Sequence, residues 1–194
     1  MLLLMLGLLL WSAVHFIPSL AQPLNARWLN MIGDVYYKIS FSLIIILSIV
    51  MMVFGWRSTT PAVLYELPEI TRPIAIILMA LALSLQVATN KATRINQLVR
   101  HPMLSSVIVW SVAHLLVNGD SRSLVLFGGL GIWAILETFA INRREGVWQK
   151  PDIPGWSAEI KFIAISFFVI AWIAYMHNSI LFQIPFSTRI QLVF

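Results

Sequence analysis

The stretch ISFSLIIILSIVMMVFGW, residues 39–56, decides the fold. It runs from Ile39 to Trp56 without a charge, and only serine and glycine interrupt its large apolar side chains. A helix needs about 20 mostly apolar residues, with a working range of 17–25, to cross the hydrocarbon core of a bilayer. Backbone N–H and C=O groups find no water there, so only helices and closed β-barrels can span it. Barrel strands are short and alternating, whereas this run is long and continuous. It predicts a transmembrane helix.

Outward from it the same pattern recurs. Charges fall in clusters, and the intervals between them are Met1 to Ala26, Pro73 to Asn90, His101 to Gly119, Ser123 to Asn142 (broken only by Glu137) and Phe162 to Leu181. The reading is an all-α, polytopic membrane helix bundle of about six transmembrane helices, forming a single domain over 1–194 whose main partner is the lipid bilayer. Composition agrees. Of 194 residues 59% are hydrophobic and 11% charged, with mean hydropathy +0.86. Soluble domains carry about 25% charged residues, so little polar sequence remains for a second, water-facing unit. The chain has no cysteine. That excludes disulfides, thiolate metal sites, c-type haem attachment and cysteine nucleophiles. The basic residues are scattered through loops, so nucleic-acid binding has no support.

Ser19-Leu20-Ala21 has the look of a small-residue cleavage site, but Met1 to Trp11 lacks the basic start of a secretory signal. A retained first helix is expected. The loops after the first, third and fifth spans hold Arg27, Lys38, Lys91, Arg94, Arg100, Arg143, Arg144, Lys150 and Lys161, against Arg57, Arg72, Arg122 and Arg189 on the other side. By the positive-inside rule the first set is cytoplasmic and both termini lie outside. Pro73 and Pro102 sit at helix starts, where a missing N–H costs nothing. Pro18 should end or kink the first helix just after His15.

A repeated pentad is the sharpest internal feature: Trp11-Ser12-Ala13-Val14-His15 in the first span and Trp110-Ser111-Val112-Ala113-His114 in the fourth. Positions i−4, i−3 and i share a helix face, so each histidine stands beside a Trp and a Ser, with Ser19 or Asn118 extending the stripe. Polar stripes on membrane helices point into the bundle, and an intramembrane His is a functional candidate by default. Two on separate helices suit a metal centre, since a haem iron takes one imidazole from each side. The plainer alternative is that each ring bonds a neighbouring carbonyl and packs. In depth the two histidines are offset by roughly 10 Å at 1.5 Å per residue.

Before the fourth span comes Arg100-His101-Pro102. A cation and an imidazole beside free helical N–H groups suit a carboxylate or phosphate; an ordinary interfacial anchor is the alternative. Glu137 should pair with Arg100 or Arg144, and His177 should be interfacial. Asp120 and Arg122 read as local capping of a short turn.

Arg100-His101-Pro102, the run VWSVAHLLVNGD over 109–120, Leu126-Phe127-Gly128-Gly129, Asn142-Arg143-Arg144, His15 and Asp34-Val35-Tyr36-Tyr37-Lys38 together resemble the NnrU family of bacterial membrane proteins. The resemblance implies an inner-membrane location and a link to nitric oxide and nitrite metabolism in denitrifiers, with partners among respiratory or denitrification membrane proteins. The family is similar to zeta-carotene isomerase, a haem b enzyme. That similarity implies haem b (iron) as cofactor, with His15 and His114 in its ligand positions. The isomerase has a cysteine three residues before its second histidine, where this chain has Ser111, a poor iron ligand. A more distant similarity to isoprenylcysteine carboxyl methyltransferase implies S-adenosylmethionine near Arg100 and His101. Whether the chain is an enzyme stays open at this point.

Overall fold

The computed structural model describes residues 1–182, with side chains through Met176. Six helices follow in order: α1 Leu2–Leu20, α2 Gln22–Arg57, α3 Thr71–Ala88, α4 Pro102–Leu115, α5 Ser121–Glu145 and α6 Trp156–Phe182. Among the described residues no strand forms, only an isolated bridge between Val63 and Asp120. Five helices are long and apolar enough to cross a membrane, and α4 is a shorter apolar helix. Large side chains such as Leu43, Ile46, Leu47 and Phe54 of α2 face outward, as a surface clothed in lipid requires. The chain is a multi-pass helical membrane protein. His177 and Arg189 lie outside the residues whose side chains are described.

Element ends depart from the charge-free runs where a local interaction overrides hydropathy. α2 starts well before Ile39 and is broken at Gly33, whose φ of 76° and ψ of 166° divide it into segments 22–32 and 34–57. The fourth expected span stops early, at Leu115. Its last carbonyls are taken by side chains from the preceding loop and α3. The Tyr65 hydroxyl donates to Leu115 O at 2.8 Å and Asn118 O at 3.3 Å, and Thr71 Oγ1 donates to Leu116 O at 2.9 Å. Helix-end carbonyls without such donors would be costly in a membrane. As expected, Asp120 caps α5, accepting from the N–H groups of Arg122 and Ser123 at 2.9 and 3.1 Å. α5 then passes through a π-helical stretch, Leu124–Gly128, before becoming a regular α-helix. α6 begins before Phe162 because Glu159 is not left as a bare charge. It is buried, accepting from Thr93 Oγ1 at 3.1 Å and Arg94 N–H at 2.5 Å.

Small residues set the helix spacing. A Cβ on Gly7 would come within 2.8 Å of the Met52 N and Ser48 O backbone atoms, and one on Gly55 within 2.3 Å of Leu4 N. The α1 and α2 backbones are therefore in direct contact, the way membrane helices associate where apolar burial gives no gain over lipid. α5 packs against both α1 and α4, with Gly129 against Leu8 and Gly131 against Ser111. Leu104, Trp133 and Ala134 form the buried centre, flanked by Trp11.

The two ends of the bundle are closed differently. At the basic end, Arg100 donates to Gly146 O at 2.8 Å and Glu145 at 3.1 Å, and Arg144 donates to Pro18 O at 3.0 Å. At the far end, the Arg122 guanidinium lies over Trp56 at 4.7 Å and donates to Trp56 O and Thr59 O, capping α2. Gly119 O accepts from Leu64 N–H and Tyr65 N–H at 2.8 and 3.1 Å. Both backbones can come this close only because residue 119 has no side chain: a Cβ there would fall 1.9 Å from Tyr65 O.

Candidate functional site: two histidines in aromatic boxes

α1 carries His15 into the bundle about one turn before its end. Its Nδ1 lies 2.9 Å from Trp11 O. A carbonyl only accepts, so Nδ1 carries the proton, and in the neutral ring the lone pair falls on Nε2. The ring is enclosed by Trp11 at 4.3 Å, Trp133 at 5.0 Å and Phe41 at 5.7 Å between centroids. Three helices thus hold one imidazole. Pro18 supplies no N–H for Val14 O, yet α1 runs on to Leu20, and the carbonyl of Pro18 is taken by Arg144. The helix therefore continues through the proline and is not terminated by it.

α4 presents His114 in the same way. Its Nδ1 is 2.9 Å from Trp110 O, so the tautomer argument repeats. The ring stacks on Phe127 at 4.3 Å, and Trp110 meets Phe127 edge-on at 4.9 Å. Phe127 belongs to the π-helical stretch of α5. π-bulges rotate a side chain out of α-helical register and often occur at functional sites. Each pentad therefore builds one aromatic box with the same internal bond, and α5 contributes a ring to both. His15 lies at the level of Trp133 and His114 at that of Phe127, six residues apart, or about 9 Å along α5. The stagger read from the sequence is retained.

Three polar atoms near these boxes are buried with no hydrogen-bond partner among the described residues: Trp11 Nε1, Trp133 Nε1 and Ser111 Oγ. Trp11 and Trp133 touch at 5.6 Å between centroids. Leaving a buried donor unmade costs about 1–3 kcal/mol, and such groups call for a polar guest or a functional reason. Ser111 is 2% exposed and faces Gly131.

Arg100 and His101 lie at the basic end, away from the centre of the bundle. His101 Nε2 is 2.9 Å from Asn142 Oδ1, and Arg100 is bound to Glu145 and Gly146 O. The Arg-His-Pro segment thus fastens the start of α4 to the end of α5. An anionic ligand at Arg100 would have to compete with Glu145.

The arginine expected beside Glu137 acts on it through charge alone: Arg144 interacts with it electrostatically but makes no hydrogen bond to it. Its carboxylate, 6% exposed, accepts from Ser19 Oγ at 3.1 Å, while Arg100 and Arg144 both reach Glu145. Glu145 lies two turns beyond Glu137 at the helix end, where guanidinium groups keep contact with water. Ser19 extends the Trp11–His15 stripe by one turn, and Glu137 follows Trp133 by one turn on the facing helix. The structure therefore joins Trp11, His15 and Ser19 to Trp133 and Glu137 in one seam. Trp133 and Glu137 at i, i+4 carried that signal in the sequence. Phe41 and Phe127 carried none, as they are single aromatics in runs of apolar residues. No group of three or more His, Cys, Asp or Glu side chains suited to a metal ion occurs among the described residues.

Neither the curated proteins nor the solved structures contain a match to this chain. The family model described as NnrU protein matches residues 3–185, which takes in all six helices, both pentads and the Arg-His-Pro segment. The chain is a member of the NnrU family.

Proposed function

We propose that this protein binds one haem b through His15 and His114 and acts in nitric oxide or nitrite metabolism as a redox, sensing or maturation component of the bacterial inner membrane, with both termini periplasmic. The observation that carries the reading is the duplicated imidazole geometry. In both boxes Nδ1 is engaged by the carbonyl four residues back, which fixes the ring's orientation and tautomer, as hydrogen bonds to ligating histidines do. The donor set suits the group, with two imidazoles and the indole N–H groups of Trp11 and Trp133 still lacking acceptors, but the rings packed around His15 and the Phe127 ring stacked on His114 at 4.3 Å would have to move aside to admit a porphyrin. When bound, haem supplies one-electron chemistry, or a site for a diatomic ligand if one axial position is labile. The chain's own residues orient the imidazoles.

Family membership supports the metabolic context, and the paired imidazoles on separate helices support the cofactor. Ser111 speaks against an isomerase that depends on thiolate exchange at the iron. Arg100 and His101, spent on Glu145, Gly146 and Asn142, offer a methyltransferase no ready cofactor site. The test is an optical spectrum of the detergent-solubilised protein from a haem-replete host. A Soret band lost in both His15→Ala and His114→Ala is expected; wild-type protein without a Soret band would refute the reading.

A further inference from the structure

Glu137 is an ionisable side chain buried inside a membrane-crossing helix, and the proposed function makes no use of it. A charge at such a depth is costly and marks a functional position by default. The residue lies about 12 Å along α5 from Glu145 at the helix end. From α1 the Ser19 hydroxyl donates to its Oε2 at 3.1 Å. Were the contact only a clamp between α1 and α5, the amide of a glutamine would accept the same bond without bringing a carboxyl into the bundle. Opposing influences act on this carboxyl. Burial favours the neutral acid, while the Ser19 bond and the positive charge of Arg144 favour the anion. The elements packed against it add little charge. α1 presents His15 and Ser19 and carries no charged side chain. Around α4, His101 is held by Asn142 and Arg100 by Glu145 and Gly146 O, and His114 sits in its own box toward the far end. Arg144 itself is partly exposed and donates to Glu145 and to Pro18 O, the carbonyl just before Ser19. Polar atoms therefore run from water at the basic end through Pro18 O and Ser19 Oγ to Glu137. On its other side the next layer is Trp11, His15 and Trp133.

We propose that Glu137 is a proton-binding site in equilibrium with water at the basic end of the bundle. Its ligand is the proton of a hydronium ion. The proton passes to Oε1, one O–H bond forms there and a water molecule is left behind, while Oε2 keeps the Ser19 bond. Release reverses the step, and no electron is exchanged. The site sets the charge one turn away from the layer of Trp11, His15 and Trp133. In that low-dielectric interior a single charge has a long reach, so the pH on one side of the membrane governs the electrostatic field in the layer. The inference needs no iron and stands apart from the haem reading.

The test is infrared difference spectroscopy of the full chain in sealed phosphatidylcholine vesicles, following the C=O band of protonated carboxyl groups against pH. The wild type should show a band that titrates as a single proton and is absent from Glu137→Gln. Ser19→Ala and Arg144→Gln each remove a group that favours the anion, so each should raise the proton affinity read from that band, Ser19→Ala by about tenfold. Both variants keep the carboxyl, so they assign the band even if Glu137→Gln does not fold. Vesicles holding the protein with its basic end outward should respond at once to an external pH step. Those with the far end outward should respond only after a protonophore is added. A Glu137 band that is constant, or missing, over the whole pH range in which the protein stays folded would overturn the proposal. So would a midpoint indifferent to both Ser19→Ala and Arg144→Gln. An immediate response with the far end outward would overturn the assigned access.

Discussion

Gly33→Ala tests the break in α2 by the sign of its effect. If residues 22–57 formed one continuous helix, alanine would replace glycine in a helix interior and stabilise the protein by about 0.5–1 kcal/mol. The observed backbone, φ 76° and ψ 166°, lies in a region open essentially to glycine alone. A Cβ at this position meets nothing within 4 Å, so no steric contact with other residues complicates the result. The cost is the backbone's own, about 1–3 kcal/mol for a residue held in such a conformation. For chains of roughly this size a change of 1 kcal/mol moves the melting temperature by about 2–4 °C. A drop of roughly 2–12 °C is therefore expected, followed by circular dichroism at 222 nm in detergent. Gly128→Ala is the matched control. Gly128 has an ordinary helical backbone and only Leu124 Cδ1 near its Cβ position, at 3.8 Å, so that variant should be neutral or slightly stabilising. A rise in melting temperature for Gly33→Ala would refute the break and the separate segment 22–32 with it.

Further outcomes are expected elsewhere. Gly119→Ala should destabilise more severely than Gly33→Ala, since its Cβ would strike the Tyr65 backbone carbonyl; losing two to four of the far-end hydrogen bonds costs about 2–4 kcal/mol, read from the same melts. Ser19→Ala, which takes away the hydrogen-bond donor of Glu137, should cost about 1–3 kcal/mol, and pairing it with Glu137→Leu should recover much of the loss; a double variant no better than Ser19→Ala alone would contradict the pairing. Asp120 should contribute an acid-labile term. Burial by itself would raise its pKa, but bonds from the Ser123 hydroxyl and from the Ser123 and Arg122 N–H groups, with the Arg122 charge, hold it below the ordinary carboxylate value. The unfolded chain then binds the proton more readily, so this stabilisation is full above the ordinary Asp range and is lost as pH falls through the folded value. Asp120→Asn should flatten the acid limb of a melting-temperature profile against pH, and an unchanged limb would count against the cap.

Long apolar runs announced the helices because lipid contact demands hydrophobicity on every face, and that demand leaves a continuous signal. Helix ends were less legible. They depend on single side chains reaching across the fold, such as Tyr65 to Leu115 O and Glu159 to Thr93, and no local pattern records such partners. The pentads pointed to both histidines and to their stagger, since spacing of four residues translates directly into a shared face. The rings that complete the boxes, Phe127 and Phe41, were hidden among other apolar residues. Glu137 was only half legible: Arg144, two turns along α5, acts on it through its charge while its hydrogen bonds go to Glu145 and Pro18 O, and the donor to Glu137 is Ser19, which no local pattern records.

One consequence of the short fourth helix reaches the bilayer itself. Pro102–Leu115 comprises 14 residues, about 21 Å of rise against a hydrocarbon layer of about 30 Å. Hydrophobic mismatch of this kind is relieved by local thinning or tilt at a fraction of a kcal/mol per ångström. His114 sits at the penultimate position of this helix, so lipid chain length acts first on the turn that carries it. A membrane of longer acyl chains is expected to strain that turn, and one of shorter chains to relax it.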